Sequence, residues 1–248
     1  MRGKHFSAGS FQKLSAAEMN LVYAGFEKQE LSGEKRFESN GCELAFVILE
    51  GEAAYAFGET CGKAVHRDIL YLPMQQSITL NGHATVLIYS APCTKKTSFA
   101  HIAFQQVDAD SRHKVFGSRE QGTYRHVWNC IDDSFDASRL LMGFCDGEPG
   151  GWTAWPPHEH GEAREEIYYY IGMGDGFALQ CVYDDLSQGD AVCIVRQGDL
   201  VSISGGYHPN VGCPKTGIHY LFCMVSVREG DRKFMNLTIQ SEFGSKLE

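Results

Sequence analysis

Apolar residues in this chain recur in short bursts rather than in long stripes. Runs of about four to eight residues rich in Val, Ile, Tyr and Phe are closed by Gly, Asp or Asn, which is the signature of β-strands and turns. The clearest runs are residues 44–49, 53–57, 84–90, 167–171, 177–182, 191–195, 200–203 and 218–225. Only residues 16–24 and 137–141 carry a helical spacing, each enough for a short turn. Regular strands without long helices between them predict an all-β fold, a sandwich or a barrel.

The pattern also repeats. Phe46-Val47-Ile48-Leu49-Glu50-Gly51 is echoed by Ile167-Tyr168-Tyr169-Tyr170-Ile171-Gly172, and Asp68-Ile69-Leu70-Tyr71 by Asp199-Leu200-Val201-Ser202. Each copy reads as strand, glycine turn, strand, aspartate turn, strand. A duplicated small β-barrel is the economical reading. The polar stretch 108–114 suggests a division into halves 1–115 and 116–248.

Composition narrows the class. The length of 248 residues supports a substantial core. A net charge of -9 argues against a general nucleic-acid binder, which needs a basic face. Nine cysteines, an odd number with no Cys-x-x-Cys pair, sit mostly in apolar runs and read as free thiols of a reducing compartment. The first residues lack the apolar run of a secretory signal. No stretch of about 20 apolar residues exists, so no membrane span is expected and the expected location is cytoplasmic. No motif marks the tail 244–248.

The chemistry concentrates in Pro156-Pro157-His158-Glu159-His160-Gly161-Glu162-Ala163-Arg164-Glu165-Glu166. On a strand, His158 and His160 project from one face. Glu166 follows at the head of an apolar run, and His208 stands in Gly205-Gly206-Tyr207-His208-Pro209. Imidazoles plus a carboxylate suit zinc, manganese or ferrous iron. The candidate is one mononuclear site with three His and one Glu. Glu162 or Glu165 would replace Glu166 if the register differs; otherwise Glu159, Glu162 and Glu165 are expected at the surface. The first half has no matching His-x-His, and Ser77 stands nine residues beyond Asp68, where the second half has His208 nine beyond Asp199. That half is expected to be a structural copy, with His66 and His83 at turns or on the surface.

These segments resemble the cupin superfamily, whose first motif is His-x-His then Glu and whose second supplies another His. The closer resemblance is to the family joining 5-deoxy-glucuronate isomerase with 5-keto-4-deoxyuronate isomerase. It is carried by Glu148-Pro149-Gly150-Gly151-Trp152, Glu165-Glu166-Ile167-Tyr168-Tyr169-Tyr170, Gly176-Phe177-Ala178-Leu179-Gln180 and Gly206-Tyr207-His208-Pro209, and it favours the 5-deoxy-glucuronate branch. It implies a bicupin with few short helices, and metal ligands His158, His160, Glu166 and His208. It also implies one divalent ion per chain, zinc first, with manganese or iron as alternatives. The segment 161–164 is shorter than that branch usually has.

Around such a metal, alternation sends Tyr168 and Tyr170 to the same side as Glu166, which makes all three candidates for proton handling. Arg125, by its family position, and Arg196, at the end of a strand, are candidates for holding a carboxylate. Gln180 and Tyr183 lie on the next strand at opposite parity and are candidate substrate contacts. His126 reads as structural, and Trp152 and Trp155 as core or as a sugar platform. The resemblance implies aldose–ketose isomerisation of a small anionic sugar, 5-deoxy-glucuronate to 5-dehydro-2-deoxy-gluconate, in inositol catabolism. The alternatives are 5-keto-4-deoxyuronate isomerisation in pectin breakdown, a metal-dependent dioxygenase, or a sugar-binding bicupin without catalysis. No nucleotide-binding motif is present. Open strand edges allow a homodimer.

Overall fold

A computed structural model describes residues 2–187 and 191–247. These residues are almost entirely β, with one short α-helix among them at Phe104–Ala109 and a 3-10 turn at Ser241–Phe243. Two seven-stranded sheets dominate. The first runs Lys13–Leu14, Gly25–Glu38, Ser77–Pro92, Cys42–Phe57, Ile69–Leu72, Ala100–Ile102, with Thr60–Val65 folded back on Cys42–Phe57. The second runs Gly3–Phe6, Leu200–Ile203, Arg164–Tyr170, Ile218–Ser226, Leu140–Gly147, Arg125–Ile131, His113–Phe116. A four-stranded sheet of Trp152–Thr153, Asn210–Gly212, Ala178–Val182 and Ala191–Val195, and the pair His158–Glu159 with Thr238–Ile239, complete the second half.

The expected runs 44–49 and 53–57 are one strand, Cys42–Phe57, because the glycine between them does not end the ladder. A bulge between Ile48 and Glu50 lets the strand bend, and Gly51 follows at φ 72. Its backbone presses on the His83 carbonyl so closely that no Cβ would fit.

The duplication is visible in the pairing. Leu44 lies opposite Leu72 and Val47 opposite Ile69, while Glu166 lies opposite Ile203 and Tyr169 opposite Leu200. Both partner strands start from an aspartate turn. Asp68 accepts the Val65 N–H at 3.0 Å and Asp199 the Arg196 N–H at 3.0 Å. Each aspartate also meets a histidine, His101 at 2.9 Å and His5 at 2.8 Å. This register puts Leu44 in the place of Glu166. The sequence echo, which aligned Phe46 with Ile167, is therefore one residue out of step, and in a strand one residue exchanges the faces.

His5 belongs to Gly3–Phe6 and His101 to Ala100–Ile102. The first residues of the chain thus complete the second sheet, as 100–102 complete the first. A boundary at residue 115 falls inside the strand His113–Phe116, which pairs with Arg125–Ile131.

Neither segment expected to be helical is one. Residues 16–24 are a series of turns, and 137–141 lead directly into the strand Leu140–Gly147. In both, three consecutive backbone N–H groups are taken by a buried carboxylate from the other half. Glu165 accepts from Val22 (2.5 Å), Tyr23 (2.9 Å) and Ala24 (3.1 Å). Glu43 accepts from Ser138 (2.7 Å), Arg139 (2.6 Å) and Leu140 (3.0 Å). The two carboxylates occupy equivalent positions on Cys42–Phe57 and Arg164–Tyr170, and each ties its barrel to the other.

Three apolar clusters fill the molecule. One lies between the large sheets, where Phe26 stacks on Tyr169 at 5.5 Å and Leu87, Phe144 and Leu221 are buried beside them. The interior of the first barrel is closed by Phe46, Ile48, Leu72 and Leu80. The second barrel is apolar at its base and polar toward one end, where the histidines gather. All nine cysteines are free, Cys61 exposed and most others buried. Among the described residues no helix is long and apolar enough to cross a membrane.

Candidate metal centre

His158 is set by the pair His158–Glu159 with Thr238–Ile239, Glu166 by the centre of the second sheet, and His208 by the turn that precedes Asn210–Gly212. These elements meet inside the second barrel. His158, His160, Glu166 and His208 are all buried. The histidine rings stand 4.8–5.5 Å apart, and one nitrogen from each lies within 4.8 Å of the others. Among the described residues this is the one grouping of three His, Cys, Asp or Glu that could hold a metal ion. One Glu166 oxygen, Oε2, sits 3.2 Å from His208 Nε2 and 3.6 Å from His160 Nε2.

The hydrogen bonds orient the rings. His158 Nδ1 donates to the Pro156 carbonyl at 3.0 Å and His208 Nδ1 to the Gly206 carbonyl at 2.9 Å. A carbonyl only accepts, so both Nδ1 atoms carry hydrogen and the Nε2 lone pairs face the cluster. Meanwhile Glu166 Oε2 and His208 Nε2, which face each other in the cluster, are buried without a hydrogen-bond partner, and so is His160 Nδ1, on the far side of a ring whose Nε2 faces Glu166. Buried polar atoms are rarely left so, and converging lone pairs beside an ionised carboxylate are what a divalent cation satisfies. The residues fit a metal.

The charge states are set by burial and by the pairing of Glu166 with its histidines. Burial alone would raise the Glu166 carboxyl, but His160 and His208 outweigh it and hold it well below the usual carboxylate range. Burial, then His208 and His160, push His158 far below the usual imidazole value, so it stays neutral. Burial opposes charge on His208 too, but Glu166 overrides it and raises that ring.

A cavity opens onto this cluster. His158, His160, Glu166 and Tyr168 line it with Arg125, and apolar side chains close the rest. Tyr168 packs at a tilt against Tyr220 with centroids 4.4 Å apart and lies 6.0 Å from the His208 ring. Burial, with Glu166 next, raises its hydroxyl well above the usual value, so it remains a donor. Arg125 is 4% exposed. Its guanidinium donates to the carbonyls of Thr123 (2.9 Å) and Trp155 (2.5 Å), lies over Phe116 at 5.3 Å, and has no carboxylate partner among the described residues. Burial lowers its pKa, but a guanidinium stays protonated in proteins, so the site holds a cation without a counter-ion among the described residues.

Other expected contacts lie elsewhere. Tyr170 points into the barrel, but its hydroxyl donates to Gln180 Oε1 at 2.7 Å. Gln180 Nε2 in turn donates to the His208 carbonyl at 2.9 Å, and Asn210 Nδ2 donates to Gln180 at 2.8 Å. Tyr170 and Gln180 therefore brace the His208 backbone from behind and do not line the cavity. Tyr183 donates to Gln240 Oε1 at 2.8 Å, beside the chain's last segment. Arg196 is exposed, carried outward at the end of Ala191–Val195, and is not at the cavity. Glu165, expected at the surface, is buried against 22–24. His126 pairs with His113 at 2.8 Å on the outer face, and His66 and His83 are exposed. The Tyr220, Phe222 and Met224 side of the cavity was not anticipated. That strand is apolar on both faces, so its sequence carries no alternation to mark which side chains lie opposite Glu166, Tyr168 and Tyr170.

A sequence profile of the KduI/IolB family matches residues 1–238. This chain belongs to the KduI/IolB family. Proteins named 5-deoxy-glucuronate isomerase are its relatives. That of Bacillus subtilis strain 168 is 32% identical over 247 residues, covering 90% of this chain and 89% of the relative. That of Shouchella clausii is 28% identical over 222 residues, covering 80% and 79%. Among solved structures, an IolB-like protein from Salmonella typhimurium LT2 superposes with a TM-score of 0.85 at 23% identity, covering 96% of this chain and 97% of that one. Oxalate decarboxylase of Bacillus subtilis reaches 0.66 at 11% identity, covering 96% and 78%. These likenesses show the cupin fold, and with its family the KduI/IolB chain is an isomerase.

Proposed function

We propose that the protein is a metal-dependent aldose–ketose isomerase that converts 5-deoxy-glucuronate to 5-dehydro-2-deoxy-gluconate, a step of inositol catabolism. The observation that carries the reading is the pairing, in one cavity, of a three-His, one-Glu cluster with a buried arginine lacking a counter-ion. Such a cavity suits a small sugar with a carboxylate at one end and a carbonyl beside a hydroxyl at the other. His158, His160, His208 and Glu166 would hold one divalent ion, with zinc the first choice on ligand type and manganese or iron next. The ion supplies Lewis-acid polarisation of the substrate oxygens.

The chain's own residues do the rest. Arg125 receives the carboxylate with a charge that no carboxylate among the described residues neutralises. Apolar walls around the cavity exclude water and strengthen that pairing. Tyr168 keeps its proton and donates to a sugar oxygen. With Oε2 turned to the histidines and the ion, Glu166 would offer its other oxygen, Oε1, to the proton that moves between C1 and C2. Tyr170, Gln180 and Asn210 fix the height of His208. The test is to incubate zinc- or manganese-loaded protein with 5-deoxy-glucuronate and follow ketose formation by NMR, with 5-keto-4-deoxyuronate alongside. Ketose from the first uronate is expected; absence of turnover with either metal contradicts the reading.

A further inference from the structure

Tyr168 and Tyr169 leave the strand Arg164–Tyr170 on opposite faces. Tyr168 lines the metal cavity, and Tyr169 lines a separate cleft between the barrels, with about 300 Å³ of free space. Pockets for small molecules begin at roughly that size, 300 Å³. The walls of this cleft are already set. Residues 8–12 make one side, where the Ala8 N–H donates to Asp199 at 2.8 Å and the Gln12 carbonyl accepts from the Lys28 N–H at 2.6 Å. The turn at Gln197 and Gly198 makes another, held by the Gly198 N–H on the Tyr170 carbonyl at 2.9 Å. Leu49, Thr85 and Tyr169, all buried, form the floor.

Tyr169 is the member that asks for a ligand. It is 2% exposed, yet its hydroxyl, beside Gly198, has no hydrogen-bond partner among the described residues. Polar side chains so buried are nearly always paired, and the space this one lines is the cleft. Burial, with Glu30 and Glu50 next, pushes the hydroxyl up to about 12, so it is a donor in want of an acceptor. The rim carries charge of both signs. Glu30 accepts from the Thr85 hydroxyl at 2.8 Å and pairs with Lys28 at 3.3 Å. Glu50 has no partner among the described residues. Gln197 accepts the Met173 N–H at its Oε1, which leaves its Nε2 as a second donor.

We propose that this cleft is a second ligand site, for a neutral polyhydroxylated molecule of sugar size. Each rival class fails on one group. An anion meets two carboxylates against one ammonium. An ammonium ligand has no lone pair to accept from Tyr169. An apolar ligand leaves the Tyr169 hydroxyl and the Glu50 carboxylate unpaired. Neighbouring hydroxyls answer both demands, one accepting from Tyr169 and another donating to Glu50, while the carbon skeleton rests on Leu49. The two faces of one strand are then served by opposite charge: a cation without a carboxylate partner on the metal side, and an excess of carboxylate on this one. The site stands on the cleft alone and is independent of the metal reading.

The experiment measures binding of D-glucose, D-xylose and sorbitol to the full chain by calorimetry, with putrescine as the cationic comparison. The expected result is saturable binding of at least one of the three polyols, one molecule per chain. Tyr169→Phe, which keeps the ring on Phe26, and Glu50→Gln, at an exposed position, should each weaken it about five-fold or more. Arg125→Met should leave it unchanged, because that residue lines the other cavity. Saturation by none of the three polyols overturns the site, and so does binding that neither Tyr169→Phe nor Glu50→Gln weakens in the folded protein. Binding lost in Arg125→Met would place the sugar in the metal cavity and overturn it as well. Putrescine bound more tightly than every polyol, and released by Glu50→Gln, would overturn the ligand class.

Discussion

Glu165 and Glu166 are consecutive on one strand and serve opposite sides of it. Glu165 binds the backbone N–H groups of Val22, Tyr23 and Ala24, and Glu166 faces His160 and His208. One carboxylate holds the two barrels together and the other completes the site. Their removal should separate cleanly. Glu165→Ala strands the buried Ala24 N–H and the part-buried Val22 and Tyr23 N–H groups and should destabilise the fold by about 1–3 kcal/mol, with metal content of the folded protein unchanged. Glu166→Gln should abolish metal retention. Urea unfolding and elemental analysis of both variants check this, and metal loss in folded Glu165→Ala would contradict it.

Arg125 should act through the substrate carboxylate. Replacing it by Met removes a charge-assisted pair of about 1.5–3 kcal/mol, which predicts a KM increase of roughly 10- to 100-fold. Lys should rescue only in part, because it cannot keep the bonds to Thr123 and Trp155 while presenting a fork. The control is a substrate analogue with the carboxylate reduced to an alcohol. Wild type and Arg125→Met should handle it alike. A variant with unchanged KM for the uronate would remove Arg125 from this role.

The tyrosines of Arg164–Tyr170 should diverge. Tyr168→Phe deletes a hydroxyl that faces the cavity and should lower kcat by about ten-fold or more. Tyr170→Phe deletes a bond to Gln180 behind His208. It should cost about 1 kcal/mol of stability with little effect on kcat. Equal kinetic losses in the two variants would mean that Tyr170 reaches the substrate after all.

Much of this was legible in the sequence, and the misses share a cause. The strands, the His-x-His, the distant His208 and the aspartate turns at Asp68 and Asp199 are local signals. The segment Arg164–Tyr170 is buried at every position, because one face fills the barrel and the other fills the joint between barrels. A strand buried on both faces shows no alternation, so nothing marked Glu165 as interior. The same absence let the repeat slip by one residue at Phe46 and Ile167. The turns at 16–24 and 137–141 look helical alone and are reset by carboxylates far away in the chain. Arg196 was chosen for its charge at a strand end, but its strand is the edge of the four-stranded sheet and carries it outward.

Glu229 offers a pH test of the joint between barrels. It accepts from the N–H groups of Thr94 and Lys95 and from the hydroxyls of Thr94 and Ser138. Burial would raise its pKa, but these bonds prevail and lower it to about 2. A carboxyl depressed by folding stabilises above its unfolded pKa and stops doing so as pH falls through the folded value. Wild type should therefore exceed Glu229→Gln in stability at neutral pH, with the gap shrinking below about pH 4.5 and closing near pH 2. Urea midpoints across that range measure it, and a gap independent of pH would contradict it.

The central claim is that the four converging side chains of the second barrel hold one metal ion on which sugar isomerisation depends. Elemental analysis of the purified protein and of His208→Ala, each assayed on 5-deoxy-glucuronate by NMR, tests it most directly. The account predicts one transition-metal equivalent per chain in the wild type, with ketose formed, and loss of both together in a folded His208→Ala. Full turnover by a metal-free protein, or an undiminished metal equivalent in the variant, would contradict it.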